Sequence, residues 1–353
     1  MTVSHCAGVS GCAGYSALVV GCLFNGSFGV LHKLVPVSNA VFALYFSIGC
    51  FIASEVTLPF LALLPDTQIA FSPAGLGSGF SAFFAINFVF YTMDKAGVAV
   101  SMVGFCGCII LTSTLVENML ILRLEPRQPM LLAGSLSLIV LSLVGVFISR
   151  RASDKRRRTA ISPLEEHLAH LDEVSATLRG PELRPDAMQG SEANNGAKRD
   201  ADCLSIVFGL CGATVGFVSI KLWGKLTPSI AGIEFTWSFG IGILLSALIL
   251  SPVVISASQR RLVRVADLGS MRGACVGVAS GVLWGVANVT LDVAIGDGIP
   301  LGTVNTIFQG AIVVSGLWGV KFGELAGCGP IALFFSSSAL FLCGIFGVAA
   351  STS

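Results

Sequence analysis

One stretch of the sequence places three side chains that can bind a polar solute on a single helical face. Trp284, Asn288 and Asp292 recur every four residues, a spacing that brings them onto one side of an α-helix. An indole ring stacks on the apolar side of a sugar or a base, while an amide and a carboxylate form hydrogen bonds with its hydroxyl or N–H groups. We expect all three to bind substrate. The alternative is that Asn288 satisfies a neighbouring backbone group and that Asp292 lies in water near the helix end.

Four glycines follow an adjacent face of the same helix. Gly273, Gly277, Gly281 and Gly285 also recur every four residues, and a stripe of small residues lets a neighbouring helix approach closely. We therefore predict helix packing on this face, which leaves the face of Trp284 as the wall of a cavity.

Further amide and phenol side chains lie inside apolar segments and are also candidates for substrate binding. They are Asn25, Asn87, Tyr91, Asn305 and Gln309. Asn87 and Tyr91 are four residues apart, as are Asn305 and Gln309, so each pair shares a helical face. Polar residues at depth also join helices to one another, and that role stays open for these residues.

Two carboxylates are candidates for proton coupling. Glu117 is flanked by apolar runs and Glu55 lies midway in another apolar run. An ionisable group in hydrocarbon is costly and usually functional, and burial disfavours its charged form, so that it can bind and release a proton. A structural hydrogen bond within the helix bundle is the alternative for each.

The composition requires membrane-spanning helices to position these residues. Of the 353 residues, 54% are hydrophobic and only 12% are charged, whereas soluble domains have about 25% charged residues. Apolar stretches long enough to span a bilayer lie near residues 14–31, 40–64, 74–92, 97–122, 130–149, 203–222, 229–255, 273–293, 301–320 and 330–350. All ten should be helices, because helices satisfy their own backbone groups in hydrocarbon and the runs are too long for barrel strands.

The predicted fold is therefore an all-α integral membrane protein with ten transmembrane helices in two five-helix repeats. Residues 1–149 form the first repeat, residues 150–201 a charged cytoplasmic loop, and residues 202–353 the second repeat. Within the loop, Leu164, Leu168, Leu171 and Leu178 indicate a short amphipathic helix on the membrane surface or under the bundle, and residues 180–200 have a disordered composition.

The distribution of basic residues predicts the orientation of the chain. Of the 21 Lys and Arg residues, most fall on the side of the central loop, and the side with more basic residues faces the cytoplasm. Both termini should then lie outside the cell or in a lumen. The basic cluster that opens the loop should contact anionic lipid headgroups, and we expect no nucleic-acid partner.

The two halves of the sequence resemble one another beyond hydropathy. A Ser-Gly pair followed by an asparagine occurs at 78–87 and again at 280–288, and a glutamate closes each half at Glu125 and Glu324. Because each repeat has an odd number of spans, the second copy must enter the membrane from the opposite side. Inverted repeats place a solute site near the membrane midplane, which alternating access exposes to either side.

Four segments resemble a known transporter group. The segments at 281–288 (GVLWGVAN), 298–301 (GIPL) and 316–324 (GLWGVKFGE), with the opening 24–33 (FNGSFGVLHK), are similar to motifs of the transmembrane protein 144 and glucose/ribose porter group of the drug/metabolite transporter superfamily. Ten spans with a large loop after the fifth also resemble the plant ureide permeases. The resemblance implies ten helices and carbohydrate transport.

We therefore expect a secondary transporter of a small polar solute, with a neutral sugar as the leading substrate and protons as the coupling ion. Nucleotide sugars and ureides or nucleobases are alternative substrates, and a membrane sensor or scaffold is the alternative of another class. We expect no enzymatic activity, because the four histidines all lie outside the predicted hydrocarbon segments. We also expect no cofactor and no metal, since Cys106 and Cys108 are two residues apart and point to different faces of a helix.

Overall fold

The computed structural model describes residues 10–62, 71–113, 128–179, 205–219, 233–259, 264, 268–297, 299 and 301–352, and within these ranges the chain is helical, with no strand. The first five helices are α1 (Ser10–His32), α2 (Asn39–Ala62), α3 (Pro73–Ala96), α4 (Val98–Ser113) and α5 (Pro129–Arg179). The others are α6 (Ser205–Ser219), α7 (Ile233–Gln259), α8 (Met271–Gly296), α9 (Leu301–Phe308), α10 (Ala311–Lys321) and α11 (Cys328–Thr352).

Seven of the described helices, α1, α2, α3, α5, α7, α8 and α11, are long and apolar enough to cross a membrane. This confirms the prediction of an all-helical, multi-pass membrane protein, because hydropathy over a bilayer-length window is the physical signal for such helices. The helices α4 and α6 are apolar but shorter, and the ninth predicted stretch is divided between α9 and α10. Ten spans therefore stay a prediction.

Both ends of α3, and its tight connection to α4, follow from the local sequence. Ser72 caps the start of α3 by accepting a 3.3 Å hydrogen bond from the Gly75 N–H, and Pro73 suits the first helical position because it has no N–H to satisfy. The helix ends at Gly97, whose φ of +85° is a backbone conformation that glycine adopts without strain. α4 begins one residue later, so the two helices form a hairpin.

The fifth helix differs from its predicted end. We expected the span to finish near residue 149 and a loop to follow, but α5 continues without interruption to Arg179, for 51 residues in all. Its extension is rich in Arg, Lys, Glu, Leu and Ala, which favour helix. The predicted amphipathic leucines therefore lie on a continuation of α5, and the predicted disordered residues 180–200 lie outside the described residues.

The helices pack in a defined set of pairs. α8 packs against α1 and α2, α7 against α2 and α3, α10 against α1 and α4, and α5 against α11. Glycines of α6 face α3, where Gly209 and Gly212 lie against Phe88. One end of the bundle carries the ends of α1, α3 and α10 together with Arg150 of α5, and we call it the basic end.

An aromatic core holds α1, α2 and α3 together. The Phe90 ring lies 4.9 Å from that of Phe42, 5.4 Å from Phe46 and 6.3 Å from Phe28, measured between ring centroids. All four rings are fully buried. Edge-to-face arrangements of this kind add to the stabilisation that comes from burial alone.

Truncating the centre of this core should destabilise the protein. Phe90→Ala is expected to lower the free energy of unfolding by about 3–5 kcal/mol, because it removes buried contacts and leaves a cavity. The thermal midpoint of the purified protein in detergent measures the effect. Phe346→Ala is the matched control, since that ring is 61% exposed and should change the midpoint little. Equal losses in the two variants would contradict the assignment of the core.

Candidate solute-binding site

The glycine stripe of α8 brings this helix into backbone contact with α2. A side-chain carbon on Gly281 would collide with the Phe46 carbonyl oxygen and lie 2.8 Å from the Cys50 nitrogen. Carbons on Gly277 and Gly285 would lie 2.6 Å and 2.5 Å from the Cβ atoms of Tyr45 and Ala53, and one on Gly273 would lie 2.8 Å from Val37. Three of the four predicted packing glycines thus face α2 and Gly273 faces Val37 just before it, and this contact sets the direction of the other α8 side chains.

Trp284 lies where α8 meets three other helices. Its ring is 5.7 Å from Phe46 of α2, 6.0 Å from Phe239 of α7 and 6.5 Å from Phe217 of α6, between centroids. The residue is 6% exposed, so the indole is enclosed by aromatic rings rather than lying on an open wall. These are the surroundings of a packed core residue, and stacking of the indole on a solute stays a prediction.

The other two residues of the predicted α8 face differ in what the structure describes. The Asn288 amide donates a 2.8 Å hydrogen bond to the Trp284 carbonyl oxygen, one turn earlier in the same helix. Its second N–H and its oxygen are then the groups that remain for a solute. Asp292 lies in α8, but its side chain is outside the described residues.

The predicted α3 residues lie on different neighbours. Asn87 donates a 2.8 Å hydrogen bond to the Phe83 carbonyl oxygen, the same bond that Asn288 forms in α8. Tyr91 faces α6, since a side-chain carbon on Gly209 would lie 3.2 Å from its ring. Tyr91 therefore lies at the α3–α6 contact rather than beside Trp284, and packing is the role that its surroundings support.

A groove between α3 and α6 is apolar and opens outward. It has a volume of about 380 Å³ and its lining includes Phe80, Phe84, Phe88 and Phe208. Phe80 and Phe208 are 48% and 62% exposed, as expected for rings that face lipid. The groove is thus distinct from the polar site predicted from the sequence.

The ninth predicted span is interrupted at Gln309 and Gly310. The Gly310 N–H bonds to the Ile307 carbonyl at 2.8 Å, three residues back, and α10 then begins at Ala311. Discontinuous membrane helices expose backbone groups that line solute and ion sites in transporters. We expected one continuous helix here, and no special residue pattern indicates the break.

The break carries a buried polar atom and faces α1. The Oε1 atom of Gln309 is shielded from solvent and has no hydrogen-bond partner among the residues that the structure describes. A side-chain carbon on Gly310 would lie 3.1 Å from the Cys22 sulfur of α1. A buried amide oxygen without a hydrogen bond costs free energy. Such an oxygen is expected where a bound solute supplies the missing donor. Asn305 lies in α9, and its side chain is outside the described residues.

Asn25 is a buried amide on α1, which packs against both α8 and α10. It is 7% exposed and lies between Gly21, which packs against the Ala287 carbonyl of α8, and Gly26, which packs against the Ala311 carbonyl of α10. These neighbours place this part of α1 between α8 and α10. An amide there can both donate to and accept from a neutral solute.

Comparisons with protein-family models, with curated proteins and with solved structures find no match to this chain. The geometry of the site therefore carries the functional argument.

The predicted coupling carboxylates are only partly described. Glu55 lies in α2, and its Oε1 atom is buried without a hydrogen-bond partner. Glu117 lies outside the described residues. Among the described residues, no hydrogen bond satisfies this Glu55 oxygen, and proton coupling through Glu55 stays a prediction.

The aromatic partners of Trp284 escaped the sequence analysis. Phe46, Phe217 and Phe239 come from three helices far apart in sequence, and the chain has 24 phenylalanines. Spacing along one helix cannot select these three. The available sequence signal was the predicted repeat, in which Phe46 and Phe239 occupy corresponding places near the starts of the second and seventh predicted spans.

Proposed function

We propose that this chain is a secondary transporter of a small, neutral, polar solute, built from ten spans in two inverted five-helix repeats. The leading substrate is a carbohydrate, in line with the resemblance to the drug/metabolite transporter superfamily. The internal symmetry of the helix contacts and the neutral polar groups of the candidate site support this proposal.

The helix pairs are those that an inverted repeat requires. With α9 and α10 counted as the ninth span, exchanging the halves turns the α1–α8 contact into the α6–α3 contact and the α2–α8 contact into the α7–α3 contact. The α2–α7, α4–α10 and α5–α11 contacts map onto themselves. All of these contacts occur, which supports a pseudo-two-fold axis between the halves.

The strongest support for the proposal is the register of the helix contacts, that is, which residues lie opposite one another where two helices meet. A side-chain carbon on Gly281 would collide with residues 46–50 of α2, and one on Gly79 with residues 239–243 of α7. Reciprocally, a carbon on Gly49 would collide with Val278 and one on Gly242 with Leu76. Each of these residues maps onto its counterpart with a constant offset within its helix. Two-fold repetition at atomic detail supports the alternating-access architecture of repeat transporters.

In this register, Asn87 and Asn288, which the sequence comparison aligned, do not coincide. Asn87 is eight residues after Gly79, whereas Asn288 is seven residues after Gly281, and one residue rotates a helical position by about 100°. The two asparagines therefore do not occupy equivalent positions in the repeats. The solute site is asymmetric in consequence, with α8 and the broken span contributing more of it than α3.

The charge of the site favours a neutral solute over a nucleotide sugar. Lys33 bonds to the Met93 carbonyl at 2.8 Å, and Lys321 lies 4.7 Å from the centre of the Trp318 ring. Both cations are thus held at the basic end, whereas Asn25, Trp284 and Gln309 offer only neutral groups. A phosphate-bearing solute needs positive partners at the site itself.

We also propose that the basic end faces the cytoplasm. Arg150, Arg151, Lys155, Arg156 and Arg157 lie at this end on the first turns of the α5 extension, and cytoplasmic loops are enriched in Lys and Arg. Both termini are then extracellular or luminal.

The proposal is tested by uptake into liposomes that contain the purified full-length protein. The panel contains labelled neutral sugars, ureides, nucleobases and nucleotide sugars, each with and without an inward proton gradient. Saturable uptake of one neutral solute is the expected result. Preference for a nucleotide sugar would reject the neutral site, and folded protein that moves no member of the panel would favour a sensor or scaffold.

Proton coupling gives a separate expectation. Glu55→Gln should flatten the pH dependence of uptake, because an amide cannot bind and release the proton that the carboxyl carries. Glu117→Gln tests the second candidate in the same way. Uptake rates across the pH range measure the effect, with Asp172→Asn in the α5 extension, outside the apolar spans, as the control. An unchanged pH profile in both glutamate variants would remove these residues from coupling.

A further inference from the structure

Side-chain bonds at the basic end join α1 to two other helices. Lys33 Nζ donates to the Met93 carbonyl of α3 at 2.8 Å and lies 4.0 Å from the Asp94 carboxylate. Trp318 Nε1 of α10 donates to Ser27 Oγ of α1 at 3.0 Å. The end of α1 is thus fixed both to the end of α3 and to the last turns of α10.

Glu324 links the segment after α10 to α4 and so completes a ring of contacts among α1, α3, α4 and α10. Its carboxylate accepts a 3.3 Å hydrogen bond from the Ala99 N–H in the first turn of α4, where free N–H groups and the helix dipole favour a negative charge. Gly97 makes room for it, since a side-chain carbon there would lie 2.6 Å from the carboxylate oxygen. The residue is 9% exposed, so water is largely excluded from this contact.

The segment that carries Glu324 is held independently by α5. Arg150 Nη1 donates to the Glu324 carbonyl oxygen at 2.7 Å, and Ser153 Oγ donates to the same oxygen at 3.1 Å. Ser153 Oγ also accepts from the Ala326 N–H at 2.7 Å. The bond between the carboxylate and the Ala99 N–H is therefore a polar link that can be removed alone, because the carboxylate's own segment stays fixed to α5 without it. Beside this bond α10 also packs on α4, where a side-chain carbon on Gly319 would lie 2.7 Å from the Ala99 Cβ.

We propose that this ring of α1, α3, α4 and α10 is the gate of the transport path at the basic end, and that the Glu324 carboxylate holds it shut. The inference rests on the proposed function. In the proposed repeat architecture α1, α3 and α4 belong to the first half and α10 to the second, so a path that opens between the halves at this end must separate helices that the ring ties together. Release of the carboxylate from α4 removes the hydrogen bond between the α3–α4 hairpin and the α10–α11 connection, so that apolar packing such as Gly319 against Ala99 is left to hold the two together.

A gate and a local helix cap differ in how far a disturbance spreads. If Glu324 only caps α4, its removal affects residues 97–101 and 322–327. If the ring opens as one unit, the end of α1, which does not contact Glu324, must loosen with it. Amide hydrogen exchange of the full-length protein in lipid nanodiscs, without any solute, separates the two.

Glu324→Gln is expected to accelerate exchange roughly tenfold in residues 30–37, 94–101 and 322–327 together, because a neutral amide oxygen accepts a hydrogen bond about half as strong as the one that a carboxylate accepts. Lys33→Gln removes a different link of the ring and should accelerate the same three segments, including 322–327, which it does not contact. Asp297→Asn removes a carboxylate outside the ring and should leave all three unchanged.

Acceleration confined to the segments that contact the altered residue would overturn the gate and leave a local cap. No acceleration in either variant would overturn it as well. If Glu324→Gln fails to fold, Lys33→Gln decides. Because no solute is present, concerted exchange without any uptake rejects the proposed function alone, and uptake with unconcerted exchange rejects the gate alone.

Discussion

Replacing Gly281 with alanine is expected to destabilise the protein by about 1–3 kcal/mol, and replacing it with leucine by more, because added side-chain atoms in a close-packed contact force backbone shifts. The Cβ atom would collide with the Phe46 carbonyl and crowd the Cys50 nitrogen. Neither backbone can yield without separating α8 from α2. The thermal midpoint and the monodisperse yield of the purified protein measure this loss.

Gly134 is the matched control for this substitution. It also lies within a long apolar helix, but a side-chain carbon there meets nothing within 4 Å. Gly134→Ala and Gly134→Leu should therefore leave the midpoint nearly unchanged. Gly79→Ala should behave as Gly281→Ala does, since Gly79 meets the α7 backbone in the corresponding way. Tolerance of Gly281→Leu, or losses of equal size at Gly134, would contradict the packing on which the repeat architecture depends.

Replacing Gln309 with leucine is expected to reduce transport at least tenfold while leaving the protein as stable as before or more stable. The Oε1 atom is buried and unpartnered, and removing such an acceptor relieves a desolvation cost of about 1–3 kcal/mol. A loss of transport together with unchanged or increased stability would identify Gln309 as a group that serves solute binding rather than folding. Initial uptake rate and thermal midpoint, measured on the same preparation, test both halves of the expectation.

Ser251→Ala provides the comparison. The Ser251 hydroxyl in α7 is likewise buried without a partner, but the residue lies away from the broken span. We expect a stability gain there without a loss of uptake. A Gln309→Leu protein that transports normally would remove Gln309 from the site, and a markedly destabilised one would show that the amide is structural.

The positions of the helices were predictable because their signal is local. Hydropathy over a bilayer-length window depends only on neighbouring residues, and the stripe from Gly273 to Gly285 reports one helical face directly. Both features can therefore be read without knowing which helix lies opposite. The partner of the stripe, α2, could not be predicted, since nothing in the glycine spacing specifies the surface that it meets.

The composition of the site was predictable only in part. Asn25, Trp284 and Gln309 were identified because a polar or indole group at depth is unusual in hydrocarbon. The enclosing rings of Phe46 and Phe239 were missed, because phenylalanine is an ordinary residue in an apolar helix. Their role depends on which helices converge, and that is a property of the three-dimensional packing.

The end of α5 and the break at Gly310 could also not be predicted from the sequence. Apolarity stops near residue 149, but the helical hydrogen bonds of α5 continue because charged residues with high helix propensity follow. The break at Gly310 has the reverse cause. Apolarity continues through it, whereas the backbone changes to a three-residue hydrogen bond. Hydropathy reports the solvent around a segment and not the continuity of its helix.

Counterflow tests the central claim, alternating access by a repeat transporter, most directly. Liposomes containing the full-length protein are preloaded with an excess of the unlabelled solute identified in the uptake panel, and entry of the labelled solute is followed over time. Alternating access predicts faster entry and a transient overshoot in preloaded liposomes relative to empty ones, both lost in Gln309→Leu. Entry that is unaffected by preloading would indicate a channel-like path and would contradict the account.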